Sequence, residues 1–333
     1  MTHPRLSAWN DVFGSIADAT SLLTAMELGV FETLRAGAAS GEALAEAAGV
    51  TASRLRPTLD LVVACGFLER AGDLYALPPG DDDFYDPDGD GLRRLGASDL
   101  KGMFLRRART VEVLRSDEPI VVAGTGGGVS EAERRAFLSY LHHASIEVAE
   151  QVAALTKGLD VRRVADLGGG AGTYTHALLR AHPEAIGVLV DRPNAEAVVR
   201  DFAEAAGLSA RVQFLAVDFF FEDFGDDFDV VVLSNLVHCY GPEDNVRLLR
   251  RVRDRLAPGG RVLVKDLTLA NDRSGPRTAL RFGTSMALFT EGGDVWSESD
   301  IRTWFDAVGL EHVGTDAMVG DGAEHQVVTG RRP

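Results

Sequence analysis

The strongest chemical pattern in the sequence is a glycine-rich segment that begins with an acid, Asp166-Leu-Gly-Gly-Gly-Ala-Gly172. Glycines allow the backbone to turn tightly and to lie against a ligand without intervening side chains. The spacing differs from the G-x-G-x-x-G of dinucleotide sites, because Thr173 and Thr175 stand where that pattern requires its last glycine. An acid at this point favours a ligand that carries an ammonium group and lacks a pyrophosphate. The predicted ligand-binding positions are Asp166, Gly168, Gly170 and Gly172.

Two further acids follow the next two predicted strands. Asp191 comes directly after the stretch Ile186–Val190, and its carboxylate can accept hydrogen bonds from both hydroxyls of a ribose. Asp218 comes after Val212–Ala216, and the neighbouring Phe219 can lie on the face of an adenine. Acids at three successive strand ends, beside a backbone without side chains, predict a cradle for a positively charged nucleoside.

Strands that alternate with helices must position these residues. From Val161 onward the pattern predicts a doubly wound parallel α/β sheet, in which ligands bind beyond the carboxyl ends of the strands. The fourth strand is unbroken in its apolar character, as expected of a buried parallel strand. The predicted strands are Arg162–Asp166, Ile186–Val190, Val212–Ala216, Asp229–Leu233 and Arg261–Lys265.

The N-terminal part of the chain is predicted to be mainly helical. Residues 8–80 indicate helices followed by a two-stranded wing around Gly72, which together suggest a winged-helix unit. Winged helices often bind DNA, but residues 1–80 contain five arginines and no lysine against nine acids. A role in dimerisation or as a substrate lid is therefore favoured over DNA binding.

The glycine loop, the strand-terminal acids and the helical N-terminal part together resemble the class I S-adenosylmethionine-dependent methyltransferases. More narrowly, the chain resembles the caffeate-type small-molecule O-methyltransferases and their bacterial relatives. The resemblance implies a Rossmann-like catalytic domain that binds S-adenosylmethionine and releases S-adenosylhomocysteine, an N-terminal winged-helix dimerisation domain, and a homodimer. The expected domains are residues 1–100 for dimerisation, 101–158 as a helical linker contributing to the substrate pocket, and 159–333 for catalysis. The cofactor site is expected to include Arg192 and Ser234 in addition to the acids and glycines above.

The resemblance also implies two catalytic residues. The family's base follows the fourth strand, where this chain has His238. A histidine can take a proton near neutral pH, because its ordinary pKa is about 6.5. An acid ends the family's fifth strand, and Asp266 matches it here, where it would orient His238 and stabilise the imidazolium.

A small-molecule acceptor is the implied partner. By resemblance its pocket is lined by residues of the long connecting helix and by later aromatic and apolar side chains, each of which could equally be ordinary core. A lining of this kind suits a flat aromatic molecule. The implied residues are Leu141, His142, Phe282, Met286, Phe289 and Trp296.

Three positions depart from the family pattern. Cys239 replaces an acid after the histidine, Ser234 stands where a lysine is usual, and Val295 replaces a third catalytic acid. We therefore expect O-methylation of a hydroxylated aromatic or polyketide-like metabolite, with methylation of carbon or nitrogen left open. A relative that binds the cofactor without methylating, a winged-helix regulator and a nicotinamide dehydrogenase are further alternatives, and no metal is expected.

Composition limits the partners of the protein. The formal net charge of −16 over 333 residues opposes binding to nucleic acids and to anionic membranes. No apolar run approaches the length of a membrane helix, and the first residues do not resemble an export signal. The only cysteines are Cys65 and Cys239, which excludes a disulfide scaffold and favours the cytoplasm.

Overall fold

The computed structural model describes residues 5–81, 85, 97–120, 130–320 and 323–333. The chain forms two compact units, residues 1–108 and 109–333. The three-part division expected from the resemblance stays a prediction. Within the described ranges, none of the helices combines the length and the apolar character needed to cross a bilayer.

The first unit is mainly helical and contains a small antiparallel sheet. Its elements are α1 (Leu6–Glu27), α2 (Val30–Leu34), β1 (Ala39–Ser40), α3 (Gly41–Ala47), α4 (Ala52–Ala64), β2 (Glu69–Ala71), β3 (Leu74–Ala76) and α5 (Ala97–Ala108). Helix α3 begins after Ser40, because the serine hydroxyl accepts a hydrogen bond from the backbone N–H of Ala43 at 3.2 Å. The strands pair in the order β1-β3-β2, in which β2 and β3 correspond to the expected two-stranded wing and β1 adds a third strand. A shared core that includes Phe31, Leu59 and Tyr75 holds these elements together.

The second unit alternates strands and helices as expected. Its elements are α6 (Thr110–Ser116), α7 (Glu131–Ala154), β4 (Arg163–Leu167), α8 (Thr173–Ala181), β5 (Ile186–Asp191), α9 (Glu196–Ala205), β6 (Val212–Ala216), β7 (Phe228–Ser234), α10 (Pro242–Arg255), β8 (Leu256–Leu267), α11 (Arg277–Phe289), α12 (Glu298–Val308), β9 (Glu311–Gly320) and β10 (Ala323–Arg331). All five predicted strands are present, and the predicted long helix before them is α7.

The strands of this unit form a seven-stranded sheet in the order β6-β5-β4-β7-β8-β10-β9. Strands β4 to β8 are parallel to one another, so their carboxyl ends share one edge of the sheet. Strand β10 is antiparallel to both of its neighbours, β8 and β9. Helices α7 and α8 contribute to the core on one face of the sheet, and α10 and α12 to the core on the other. Because apolar cores cover both faces, the central strands are apolar without alternation.

Candidate active site

The loop between β4 and α8 presents bare backbone at the carboxyl edge of the sheet. Gly168, Gly170 and Gly172 have φ values of 66°, 55° and 78°, a left-handed conformation that strains any residue with a side chain. A Cβ at Gly168 would lie 2.9 Å from Leu236, and one at Gly172 would lie 2.8 Å from Leu189. The loop is therefore restricted to glycine by its conformation, whereas the nearest atoms are leucine methyl groups at the ends of flexible side chains.

The acids predicted at the next strand ends lie along the same edge. Asp191 ends β5, and its Oδ2 accepts a hydrogen bond from the Gly170 backbone N–H at 2.8 Å, while its Oδ1 accepts one from Arg192 N–H at 2.7 Å. Asp218 follows β6, and its Oδ1 accepts from the Phe220 backbone N–H at 2.8 Å. Phe219 is partly buried beside them, and Ser234 ends β7.

Asp166, which was expected to face a cationic ligand, is completely buried on the face of β4 that α8 covers, and its place in the cofactor site stays a prediction. Its Oδ2 accepts hydrogen bonds from the hydroxyl and the backbone N–H of Thr175, at 2.8 and 3.3 Å. Burial raises the pKa of this carboxyl to about 7, against the hydrogen bonds from Thr175 that lower it. Asp166 therefore ties the start of α8 to the sheet.

This burial predicts that Asp166→Asn becomes relatively more stable as pH rises. A carboxyl whose pKa is raised by folding stabilises the fold fully below about 3.8, and this contribution is lost as pH rises through about 7. The neutral amide lacks this dependence. The difference in the free energy of unfolding between the variant and the wild type, measured by urea denaturation, should therefore shift by about 2–3 kcal/mol in favour of the variant from pH 5 to pH 8. Parallel pH curves for the two proteins would contradict the buried acid.

His238 and Asp266 form a close buried pair. His238 lies in the 3₁₀ turn Val237–Cys239 after β7, and Asp266 lies near the end of the neighbouring strand β8. The Nδ1 atom of His238 is 2.7 Å from Asp266 Oδ1 and 2.9 Å from Oδ2. Because Nδ1 contacts the carboxylate, Nε2 is the ring nitrogen that could contact the hydroxyl of a small-molecule substrate.

The carboxylate also changes the proton affinity of the imidazole. Burial alone lowers the pKa of His238, but the charge and hydrogen bond of Asp266, with a contribution from Cys239, raise it to about 10. The pair thus favours the imidazolium–carboxylate form.

Two predicted pocket residues lie beside this pair. The Phe282 ring meets the His238 ring edge-on, with centroids 4.8 Å apart at 90°. The Trp296 Nε1–H donates a hydrogen bond to the carbonyl oxygen of Val237 at 3.1 Å, which fixes the turn that carries the histidine. Val295, where a third acid was expected, is fully buried in an apolar cluster that Phe282 packs against. Among the described residues, no cluster of three or more potential metal ligands is found.

Other predicted pocket residues lie elsewhere. His142 faces α8 and α9, with Nδ1 2.9 Å from Thr173 Oγ1 and its ring centroid 4.2 Å from that of Phe202. Phe289 packs with Val113 and Leu288 in a separate cluster. The pocket lining stays a prediction at these positions, whose contacts reflect the packing of α7 along α8 and of α11 against α6. Leu141, next to His142 on α7, is partly buried, and Met286 is buried on α11.

Comparisons with known proteins agree with this geometry. The O-methyltransferase domain family matches residues 123–311, which is more than half of the chain. The chain belongs to this family. It is an S-adenosylmethionine-dependent methyltransferase, and the glycine loop with Asp191 provides a cradle that fits that cofactor.

Several relatives of this methyltransferase are named as O-methyltransferases. The 3-hydroxy-5-methyl-1-naphthoate 3-O-methyltransferase of Streptomyces sahachiroi is 31% identical over 317 residues, 91% of this chain and 89% of the relative. The tetracenomycin polyketide synthesis 8-O-methyl transferase of Streptomyces glaucescens is 29% identical, over 94% and 93% of the two chains. The solved mitomycin 7-O-methyltransferase has a TM-score of 0.80 at 26% identity, over 98% of this chain and 97% of that one. The structure of PigF with S-adenosylhomocysteine shares the fold, with a TM-score of 0.85 at 21% identity over 99% and 100%.

The methyltransferase contains one site feature that the sequence analysis did not identify. Gly293 packs directly against the backbone of the histidine turn, so that a Cβ there would lie 2.2 Å from the His238 carbonyl oxygen and 3.0 Å from the Cys239 carbonyl carbon. A Cβ at the adjacent Gly292 would meet Gly241 N at 3.4 Å, an ordinary contact. The only sequence signal was the Gly-Gly pair itself.

Gly293→Ala is therefore expected to displace His238 and to lower kcat by about 10- to 100-fold, because small misplacements of a reacting group are costly. S-adenosylmethionine affinity, measured by calorimetry, should change less than two-fold. Gly292→Ala is the matched control and should retain near wild-type kcat. Equal effects of the two substitutions would refute the proposed contact.

Proposed function

We propose that this methyltransferase methylates a phenolic hydroxyl of a planar aromatic metabolite, with His238 as general base and Asp266 as its orienting acid. The observation that carries the proposal is the 2.7 Å contact between His238 Nδ1 and the Asp266 carboxylate, next to the aromatic ring of Phe282. A buried carboxylate on Nδ1 fixes the tautomer and leaves Nε2 to face the hydroxyl. The named activities of the Streptomyces relatives support an aromatic acceptor.

The chemistry requires one proton transfer and one methyl transfer. S-adenosylmethionine supplies a methyl group that is already electrophilic on its sulfonium. When bound, the cofactor would give this methyl group to the acceptor oxygen and leave as S-adenosylhomocysteine. His238 Nε2 would take the proton of the acceptor hydroxyl, and Asp266 would stabilise the resulting imidazolium.

The raised pKa of His238 favours phenols over aliphatic alcohols. Its value of about 10 is close to the ordinary pKa of a phenol, also about 10, so the proton is shared on nearly equal terms. A phenolate bound beside the imidazolium and a phenol bound beside the neutral imidazole form the same complex, in which one proton lies between the oxygen and Nε2. The apolar wall of Phe282 completes a site for an aromatic ring.

The test is methylation of hydroxylated naphthoates and larger polyphenols by the purified protein. Each acceptor is paired with an analogue in which the reacting hydroxyl is already a methyl ether. We expect S-adenosylhomocysteine and one added methyl on oxygen, identified by mass spectrometry and NMR, only with the free phenol. A methyl on carbon or nitrogen, or turnover of the blocked ether, would overturn the proposal.

We further propose that the protein is a homodimer that uses helix α1. One side of this helix exposes large apolar residues, and the stacked pair Trp9 and Phe13 is 60% and 51% exposed. Such a contiguous apolar surface is typical of a protein interface. We also propose that the protein acts in the cytoplasm without nucleic acid or membrane partners, which its net charge of −16 supports.

Trp9→Glu is expected to convert the dimer to a monomer, because a charge at the centre of an apolar interface is left without a partner. Light scattering after gel filtration measures the change in mass. Val319→Glu is the control, since this residue is 74% exposed but lies in the other unit. A wild-type protein that is already monomeric at micromolar concentration would exclude the dimer.

A further inference from the structure

The buried side chain of Lys265 has no role in the mechanism above. It is 2% exposed in the middle of the sheet, whereas Lys101 and Lys157, the chain's only other lysines, are exposed. A buried ammonium loses its hydration, and an apolar residue at such a position is often at least as stable. Its presence on the side of the sheet where Val232, Leu263 and Val327 form an apolar core therefore calls for a function.

Lys265 is bonded to Asn235 in two ways. Its Nζ donates a hydrogen bond to Asn235 Oδ1 at 2.9 Å, and the Asn235 backbone N–H donates to the Lys265 carbonyl oxygen at 2.9 Å. Asn235 has a φ of 51°, a left-handed conformation that is uncommon outside glycine but tolerated by asparagine. The ammonium thus holds the side chain of a residue whose backbone makes a sharp turn.

This turn directly precedes the proposed base. Asn235 follows the last residue of β7, and the 3₁₀ turn that contains His238 begins at Val237. On the other strand, Lys265 directly precedes Asp266. Because side chains alternate along a strand, Lys265 points to the α8 side, where its Nζ lies 5.9 Å from the Tyr174 ring centroid, and Asp266 points to the opposite side. The two bonds of Lys265 therefore join the two strand ends that carry the pair.

We propose that Lys265 is a positioning residue, which acts through Asn235 to fix the turn that brings His238 onto Asp266. This inference rests on the proposed function of the pair. It predicts that removal of the ammonium loosens the histidine–carboxylate contact through Asn235 and the turn that follows it.

The first test compares Lys265→Met with Lys157→Met, the same change at an exposed lysine. Lys265→Met should lower kcat by about 10- to 100-fold while the S-adenosylmethionine affinity and the melting temperature stay close to wild type. The control should be indistinguishable from wild type. If kcat fell together with a similar fold-loss of S-adenosylmethionine affinity and a clear drop in melting temperature, the role of Lys265 would be merely structural.

The second test measures the His238 pKa by NMR of the imidazole nitrogens, with His238→Ala for assignment. Removal of a nearby positive charge alone would raise this pKa, whereas a looser contact with Asp266 would lower it. We expect a decrease of at least about one unit in Lys265→Met. Other titratable groups on the Lys265 side are Asp166, Tyr174 and His325, and Lys265→Met leaves all three in place. An unchanged or higher His238 pKa would overturn the inference.

Substitutions at Asn235 complete the test. Asn235→Gly permits the left-handed turn but removes the amide oxygen, so it should reproduce the kinetic loss of Lys265→Met, and the double variant should be no worse than either. Asn235→Asp keeps an oxygen for the ammonium and should retain kcat within about three-fold of wild type. If the fold-losses in kcat of Lys265→Met and Asn235→Gly multiplied in the double variant, the two residues would act independently and the inference would be overturned. If His238→Ala remained fully active while Lys265→Met still lowered the His238 pKa, the base assignment would fail and the positioning role would stand.

Discussion

His238→Ala is expected to lower kcat by about 100- to 10,000-fold, the usual contribution of a positioned general base. Binding of S-adenosylmethionine should persist, because the Asp191 carboxylate is held by the Gly170 and Arg192 backbone, whereas the His238 side chain is held by Asp266 on a different strand. Steady-state kinetics with a phenolic acceptor and calorimetry with the cofactor separate the two effects. The result would distinguish loss of proton transfer from loss of the cofactor site.

Two controls make this result specific. His312→Ala removes a partly exposed histidine at the start of β9, the outermost strand, which is separated from β8 by β10, and should leave kcat unchanged. Added imidazole should partly restore the activity of His238→Ala, because it can accept the proton in place of the missing side chain. Wild-type turnover in the alanine variant would remove the general base from the mechanism.

The shared edge of the glycine loop and the strand-terminal acids could be predicted from the sequence because parallel strands bring their carboxyl ends together. Once β4, β5 and β6 were recognised, the neighbourhood of Gly170, Asp191 and Asp218 followed from the topology alone. The pairing of His238 with Asp266 was suggested by the family resemblance, and the direct pairing of β7 with β8 makes it geometrically possible.

The directions of individual side chains could not be predicted in the same way. Asp166 lies in a strand that is apolar on both faces, so no alternation indicated that the carboxyl would point under α8. His142 lies on a helix whose polar and apolar residues are mixed around its surface, so packing against α8 decided which neighbours it meets. The contact of Gly293 with His238 joins segments far apart in the chain, and a single sequence carries no sign of such an approach.

Three residues that could not be predicted to be unusual are each energetically unfavourable in a packed sheet. Asp166 and Lys265 are ionisable groups with almost no exposed surface, and Asn235 has a left-handed backbone. None of these features improves an apolar sheet, and each lies at or next to the carboxyl edge that carries the glycine loop and the histidine pair. Departures from simple core packing of this kind are characteristic of functional sites.

Asp266→Asn is expected to change both the rate and its dependence on pH. In the wild type, the raised pKa of His238 means that kcat/KM rises with pH until about 10. Without the carboxylate, burial is the dominant influence, and the pKa of the imidazole should fall to its ordinary 6.5 or below. The rising limb therefore moves to lower pH, while the plateau falls at least about 100-fold because the imidazolium formed on proton transfer has lost its counter-charge.

The pH dependence of the stability of the wild type and of Asp266→Asn tests the His238–Asp266 pair independently of the kinetics. A histidine whose pKa is higher in the folded than in the unfolded protein stabilises the fold fully below about 6.5, and the contribution disappears as pH rises through about 10. Wild type should therefore lose stability over this window relative to Asp266→Asn, as measured by urea denaturation at pH 6 and pH 9. If the two unfolding curves stayed parallel and the rising limb of kcat/KM did not move, the carboxylate would not control the proton on His238, and the imidazole would have to act without it.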